Sequence, residues 1–390
     1  MNSELPLRYG CNPYQIPARV FMKKGELPFL VLNGTPGYIN LLDALNSWQL
    51  VKELKQVLHL PAAASFKHVS PAGAAVGHPL STTLKKAYGV EDLDLSPLAN
   101  AYARARGADR LSSYGDWVAL SNIVDLSTAQ LLAREISDGM IAPGYEPEAL
   151  ALLRQKRKGT YVIVQIDPTY EPEETETREV FGITFEQKRN TILPDAQLFE
   201  HIPTHNRAFP EKARRDALLA FLTLKYTQSN AIVLTYDGQC IGIGAGQQSR
   251  IQCTRLATTK AALWYLRQHP RVLDLPWKPG VRRQEQINAI DQYLNEDMTP
   301  GEYQQWLALF EDVPKMLTAQ DRQAWLVGLQ EVVLGSDGYI PFRDTIDCAA
   351  QYGVSYVIQP GGSLRDQDVV DACNAYGMVM SFSGVRLFHH

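Results

Sequence analysis

The chain holds 390 residues, 45 % of them hydrophobic and 21 % charged, with a formal net charge of −4 and a pI near 6.1. That length calls for two domains or a duplicated one, and the charge excludes a general binder of nucleic acid or anionic membrane, so an anionic ligand has to be held by a few local Arg and Lys side chains. The polar start, Met1 to Gly10, and the lack of an apolar run near ~20 residues predict a cytoplasmic protein with neither signal peptide nor membrane span.

From Leu41 to Leu58 the apolar residues Leu41, Leu45, Trp48, Val51, Leu54 and Leu58 recur at three- and four-residue steps, which predicts an amphipathic helix ending before Pro61. Ala62 to Phe66 reads as a short buried strand that delivers the polar turn Lys67-His68-Val69-Ser70-Pro71-Ala72-Gly73. Strands are expected at Trp117–Ser121, Met140–Ala142 and Tyr161–Ile166, with helices at Thr128–Ser137 and Glu148–Lys156 between them. The acidic stretch Glu171 to Glu179 has no apolar periodicity and reads as a domain boundary. Beyond it come a helix over Arg214–Lys225, a strand over Ala231–Tyr236, and an Asp237-Gly238 hairpin turn into Cys240–Ile243. Helices dominate Gln252 to Val333, and strand-helix-strand patterning closes the chain from Val354 to Phe388. An internal echo favours two related α/β units: Ser112 to Asp116 precedes a helix, a strand and Pro143-Gly144, while Ser336 to Tyr339 precedes a helix, a strand and Pro360-Gly361-Gly362.

Among local candidates Lys67-His68 is the sharpest. Histidine takes a proton near neutral pH and an adjacent cation polarises an oxygen; from the dipeptide alone, an ordinary surface pair is the simpler reading. Gly242 to Arg250 has GxGxG spacing, but Gln247 stands where a dinucleotide loop needs its third glycine, so close backbone approach or a bulge explains the glycines as well. Cys11, Cys240, Cys253, Cys348 and Cys373 are odd in number and dispersed, which predicts isolated thiols, and no H-x-E with a following PCxxC exists, so the zinc deaminase signature is absent.

Several longer motifs then occur in order: Arg8-Tyr9-Gly10, Leu32-Asn33-Gly34, Phe66 to Gly73, Tyr102 to Arg110, Ser137-Asp138-Gly139, Lys225 to Asn230, Gly244 to Arg250, Pro341 to Asp344, and Arg386 to His390. Together they closely resemble the AICAR transformylase half of the bifunctional purine biosynthesis proteins that also carry IMP cyclohydrolase. The resemblance implies an α/β fold of two tandem, zinc-free cytidine-deaminase-like domains with a helical insertion, divided as residues 1–171 plus 268–330 and 172–267 plus 331–390. It implies formyl transfer from 10-formyltetrahydrofolate to AICAR, a homodimer with interface active sites, and a separate IMP cyclohydrolase partner, since the chain's first residues already match the transformylase. His68 is similar to the family's base, with Lys67 and Asn230 orienting reactants and stabilising charge. Arg8, Tyr9, Gln248, Arg250 and Arg386 resemble nucleotide-binding residues; Tyr114, Asp138, Pro341, Phe342, Gly362 and Ser363 resemble the folate wall; Thr227, Ser229 and Asp337 resemble a potassium site. Tyr14, Tyr114 and Gln359-Pro360-Gly361 depart from the family's pattern. A nucleoside deaminase and a noncatalytic purine or folate sensor are the competing readings.

Overall fold

The computed structural model describes residues 3–390; Met1 and Asn2, at the start of the first expected domain, lie outside the described residues. In chain order the strands are β1 (Glu4–Leu7), β2 (Ala18–Phe21), β3 (Phe29–Asn33), β4 (Ala62–Lys67), β5 (Ser70–Val76), β6 (Asp116–Leu120), β7 (Ser137–Ala142), β8 (Val162–Ile166), β9 (Thr175–Val180), β10 (Ile183–Lys188), β11 (Ile232–Tyr236), β12 (Gln239–Gly244), β13 (Val332–Ser336), β14 (Val354–Gln359) and β15 (Val379–Phe382). The helices are α1 (Tyr38–Leu58), α2 (Thr82–Tyr88), α3 (Pro97–Gly107), α4 (Leu126–Arg134), α5 (Pro147–Gln155), α6 (Glu211–Lys225), α7 (Arg250–Leu266), α8 (Pro270–Leu273), α9 (Arg283–Asn295), α10 (Pro300–Leu307), α11 (Ala319–Leu326), α12 (Asp344–Ala350) and α13 (Asp366–Ala375).

Eleven strands form one sheet in the order β15-β14-β13-β11-β12-β5-β4-β6-β7-β8-β3. Its two halves repeat one pattern. In each, a hairpin (β4–β5, β11–β12) pairs antiparallel with a third strand (β6, β13), and two parallel strands follow (β7 and β8, β14 and β15). The halves meet where β5 and β12 run antiparallel, with Ala75 opposite Gln239.

Detail repeats along with order. The Ala62 N–H donates to Ser121 Oγ at 2.8 Å and the Ser121 N–H returns to the Ala62 carbonyl at 3.0 Å. The Ala231 N–H donates to Asp337 Oδ2 at 2.9 Å and the Asp337 N–H returns to the Ala231 carbonyl at 3.3 Å. Gly73 on β5 and Gly242 on β12 hold corresponding places: an added Cβ would come within 2.0 Å of the Ala105 carbonyl of α3 in one case and 2.1 Å of the Ala257 carbonyl of α7 in the other. Glycine is required at both for the helix to lie on its strand. The sequence echo is therefore half in register. Pro143-Gly144 and Pro360-Gly361 both follow the fourth strand of their half, but Ser112 to Asp116 leads into β6 whereas Ser336 closes β13; the counterpart of Asp337 is Ser121.

The central strands of the large sheet are buried on both faces, with alternate residues feeding separate cores. Ala62, Ala64, Phe66, Trp117 and Ala119 pack under α1 and α6, while Ala63, Val118, Leu120 and Met140 pack under α3, α4, α5 and α7. The expected helix over 41–58 forms one turn earlier, where Asn40 Oδ1 accepts the Gly37 N–H at 3.0 Å. It stops at His59, whose left-handed backbone (φ 54°) turns the chain toward Pro61. A third core, built on Trp306, Phe310, Tyr293 and Leu294, belongs to the helical segment α8 to α11.

Four local expectations differ from the fold. The polar turn after β4 shrinks to His68-Val69, because Ser70 to Val76 is a strand that accommodates Pro71 at a register shift opposite Phe66. Helix α3 was not expected and carries no amphipathic stripe, since it is buried on nearly every side. The acidic stretch at 171–179 is partly ordered: β9 pairs with β10 in a two-stranded ribbon whose side chains stay mostly exposed. Val332-Val333, within the expected helical region, opens the fully buried β13. The five cysteines are free thiols. No helix among the described residues is long and apolar enough to cross a membrane.

Candidate functional site

Sheet register decides which candidates share an edge. β4 runs to one end of the sheet, where β5 to β8 and β11 begin and β12 to β15 finish. Lys67, His68, Tyr114, Asp138, Asn230, Gln248, Asp337 and Gly362 therefore all lie along this edge. Asn230 precedes β11, three strands from β4, and of the pairings between them β5–β12 is made only at the Ala75–Gln239 bridge, at the opposite end of the sheet. The Gly244 to Ser249 loop after β12 packs against the approach to β11, with its Gly246 N–H bonded to the Gln228 carbonyl and its Gln247 carbonyl taking the Asn230 N–H.

At the hairpin tip His68 (φ 55°) and Val69 (φ 60°) both have left-handed backbones, the two-residue turn that suits the sheet's twist. His68 is exposed. Lys67 Nζ donates to the Tyr114 carbonyl at 2.7 Å, linking the tip to the loop before β6. Beneath the tip sits Asp43 of α1, only 5 % exposed, whose Oδ1 accepts the Val69 N–H at 2.6 Å. Burial pushes the Asp43 carboxyl up to about 6, against the opposing pull of the Val69 N–H and of His68. Sequence reading misses Asp43 because it is one polar position on an otherwise ordinary helix face.

This carboxyl has a pH consequence. Its proton is held more tightly in the folded chain than at the ordinary value of 3.8, so folding stability falls as pH rises from about 4 to about 6 and is flat above that range. Asp43→Asn keeps an oxygen for Val69 and removes the titration. Relative to the variant, the parent chain should lose roughly 3 kcal/mol across that window, read from denaturant unfolding at several pH values. Parallel pH profiles for the two proteins would refute it.

Asn230 is fixed from behind. Its Oδ1 accepts Arg250 Nη2 at 3.0 Å, and Arg250 Nη1 bonds the Ala231 carbonyl at 3.0 Å and Asp337 Oδ1. Arg250 is thus buried and engaged with the chain. Asp337, fully buried, also takes the Ser229 hydroxyl at 2.6 Å and the Ala231 N–H. The Ser229 hydroxyl in turn accepts the His389 N–H, and the Leu387 N–H bonds the Asp337 carbonyl, so the chain's end is part of this cluster. In the expected cation set, the Asp337 charge is already matched by Arg250, while Thr227 and Ser229 contribute neutral hydroxyls.

The remaining candidates fall into separate places. Tyr114, 44 % exposed, stands beside Asp138, whose carboxylate pairs with Arg157 at 2.9 Å. Phe342 is exposed under the Arg365 guanidinium, with Pro341 before it. Gly362 (φ 93°) and Ser363 follow β14, and the Gly362 N–H donates to Asp366 Oδ2 at 2.7 Å. A cavity of about 760 Å³ opens there between Gly362, His201, Asp366 and Phe382; the sequence gives no signal for His201 or Asp366. Gln248 is exposed on the edge loop. Arg8 and Tyr9 follow β1 on a ribbon that packs against α1, and Arg386 lies over Phe388 in the chain's tail. Among the described residues no hydrogen bond or ion pair joins Arg8 to Arg386.

Lys67, His68, Asn230, Gln248 and Arg250 all fall within residues 1–260, the stretch that matches the family model described as AICARFT/IMPCHase bienzyme. The chain belongs to the AICARFT/IMPCHase bienzyme family. Family membership thus covers the first half of the sheet and the β11–β12 hairpin, with both sides of the Lys67-to-Asn230 interval. The chain is 27 % identical over 391 residues to the bifunctional purine biosynthesis protein PurH of Elusimicrobium minutum (strain Pei191). It is 29 % identical over 390 residues to the protein of the same description from Xylella fastidiosa (strain 9a5c). Each match covers 98 % of this chain and 58 % of the relative, so the chain spans a little over half the length of these relatives.

Proposed function

We propose that this chain acts in purine biosynthesis as an AICAR transformylase, moving the formyl group of 10-formyltetrahydrofolate to the 5-amino group of AICAR. The observation that carries this reading is the register placing the Lys67-His68 tip and Asn230 on one edge within the family-matched segment. The amine is conjugated to the imidazole and its carboxamide, so it is a weak nucleophile. As its nitrogen bonds the formyl carbon it releases a proton, which His68 accepts, while the formyl oxygen gains negative charge that Lys67 and Asn230 offset. The carbon–N10 bond then breaks and tetrahydrofolate leaves with a proton. Arg250 positions Asn230 through Nη2. Arg8 and Arg386 take the nucleotide phosphate with their open guanidiniums, and Tyr9 and Gln248 complete the nucleotide cleft. Potassium is the cation proposed at Thr227, Ser229 and Asp337, where it has to share the Asp337 carboxylate with Arg250, the Ser229 hydroxyl and the Ala231 N–H.

The repeated strand order and paired hydrogen bonds support two cytidine-deaminase-like units divided near residues 171 and 267, with 268–330 as the helical insertion. The folate wall supports a homodimer. Tyr114 at β6 and Pro341-Phe342 after β13 are five strands apart on the sheet, and Asp138 and Gly362 are farther still. One pterin cannot reach both groups in one chain, so a second copy supplies the other half. Val180, Phe181, Ile183 and Phe185 on the β9–β10 ribbon are exposed apolar side chains suited to that contact.

The test is turnover by the purified chain with AICAR and 10-formyltetrahydrofolate, with tetrahydrofolate, formyl-AICAR and IMP quantified separately and the mass read by light scattering. Formyl-AICAR made by a dimer is expected. No folate-dependent product would end this reading, and IMP formed from formyl-AICAR would add ring closure to the chain's activities.

A further inference from the structure

Away from the site edge, a cavity of about 110 Å³ lies where the helical segment meets the first half of the sheet. Lys86, Arg110, Arg267 and Arg283 line it, and Trp277 and Ile290 form part of an apolar wall. Most of these cations are matched. Lys86 pairs with Asp274 at 2.5 Å, Arg267 with Asp291 at 3.0 Å, and Arg283 with Glu135 at 2.5 Å. Neighbouring Arg106 pairs with Asp116 at 2.8 Å and also uses Glu135.

Arg110 is the surplus charge. Its Nη2 is 3.5 Å from a Glu135 oxygen already bonded by Arg283, and its Nη1 reaches the Ala87 carbonyl at only 3.3 Å. It is 7 % exposed, and its buried Nε has no hydrogen-bond partner. A buried guanidinium that shares its nearest carboxylate with two other arginines is costly, and an oxyanion in the cavity would offset its charge. Burial, with Arg283, Arg106 and Arg267 nearby, drives the Arg110 guanidinium down to about 10 despite Glu135, which marks the same positive field.

We propose that this cavity binds a phosphate-class oxyanion on Arg110, with Lys86, Arg267 and Arg283 around it and Trp277 at its apolar side. The anion is either free phosphate or the phosphoryl group of a small organic ester whose apolar end meets Trp277.

The experiment titrates the full chain with inorganic phosphate and, separately, with phenyl phosphate, at ionic strength fixed with chloride, following tryptophan fluorescence. Trp277→Phe assigns the signal. A saturable change is expected in the parent chain and in Arg386→Ala. It should weaken roughly tenfold in Lys86→Gln and in Arg267→Gln, the loss of one charge-assisted contact; these positions are chosen because Arg110→Met risks misfolding. Tighter binding of phenyl phosphate than of inorganic phosphate identifies the organic ester as the ligand, and equal binding identifies the free anion. Saturation by neither probe, unchanged binding in both variants, or loss of the response in Arg386→Ala would each overturn the proposal.

Discussion

His68→Ala should lower turnover by at least ~100-fold, the usual scale for removing a positioned general base. The loss should fall on kcat, because the phosphate ligands proposed above are Arg8 and Arg386 rather than the hairpin tip. His68 is exposed on a two-residue turn whose backbone is held by Val69 and Asp43, so the substitution should leave the melting temperature close to that of the parent. Single-turnover kinetics with saturating AICAR separates the chemical step from binding. Near-normal turnover in the folded variant would remove His68 from the mechanism and leave the tip with a binding role only.

The second large effect is on stability. Glu135→Gln should cost about 3–5 kcal/mol, the scale for stripping one partner from a buried ionic cluster. Glu135 is 6 % exposed and accepts Arg106 Nε at 2.9 Å and Arg283 Nη2 at 2.5 Å, with Arg110 close by. Burial opposes its ionisation, yet Arg110, Arg106 and Arg283 together hold its carboxyl down at about 2. The stabilisation is therefore complete above the ordinary value of 4.5 and is lost as pH falls from there toward 2. The variant should lack that acid dependence as well as the neutral-pH stability. Since Arg283 also bonds the Tyr88 and Gly89 carbonyls, the substitution should loosen the helical segment from α2. A change below ~1 kcal/mol in denaturant unfolding would mean that the three arginines are solvated in the folded chain.

Legibility followed the range of the interaction. The α1 stripe and the apolar run into β4 are local signals, and both elements formed close to their expected bounds. The Lys67-His68 tip stood out because a buried strand delivered it to a polar turn. Helix α3 was hidden because a helix buried all round has no amphipathic period. β5 was hidden by Pro71 and Gly73, which read as turn residues but serve a register shift and a close helix contact. The Asp43, Glu135 and Arg250 contacts join residues distant in sequence, and no spacing rule reaches them. Arg250 drew notice for its place after a glycine loop; its guanidinium faces inward to Asn230 and Asp337.

The seam between the two halves of the sheet bears on how the chain can be divided. β5, SPAGAAV, and β12, QCIGIG, are uncharged and buried along almost their whole length, and they meet at the Ala75–Gln239 bridge. Strands left at the border of a sheet are ordinarily protected by charge, brevity or covering chain, because unsatisfied N–H and C=O rows recruit other strands. Neither β5 nor β12 carries such protection of its own. Cut apart, each half would present an adhesive border and pair with whatever strand it met, including another copy of itself. Keeping both halves in one polypeptide holds the two borders at high effective concentration from the moment of folding. Covalent continuity here does the work that gatekeeper residues do elsewhere, which leaves both strands free to stay small and apolar beneath α3 and α7.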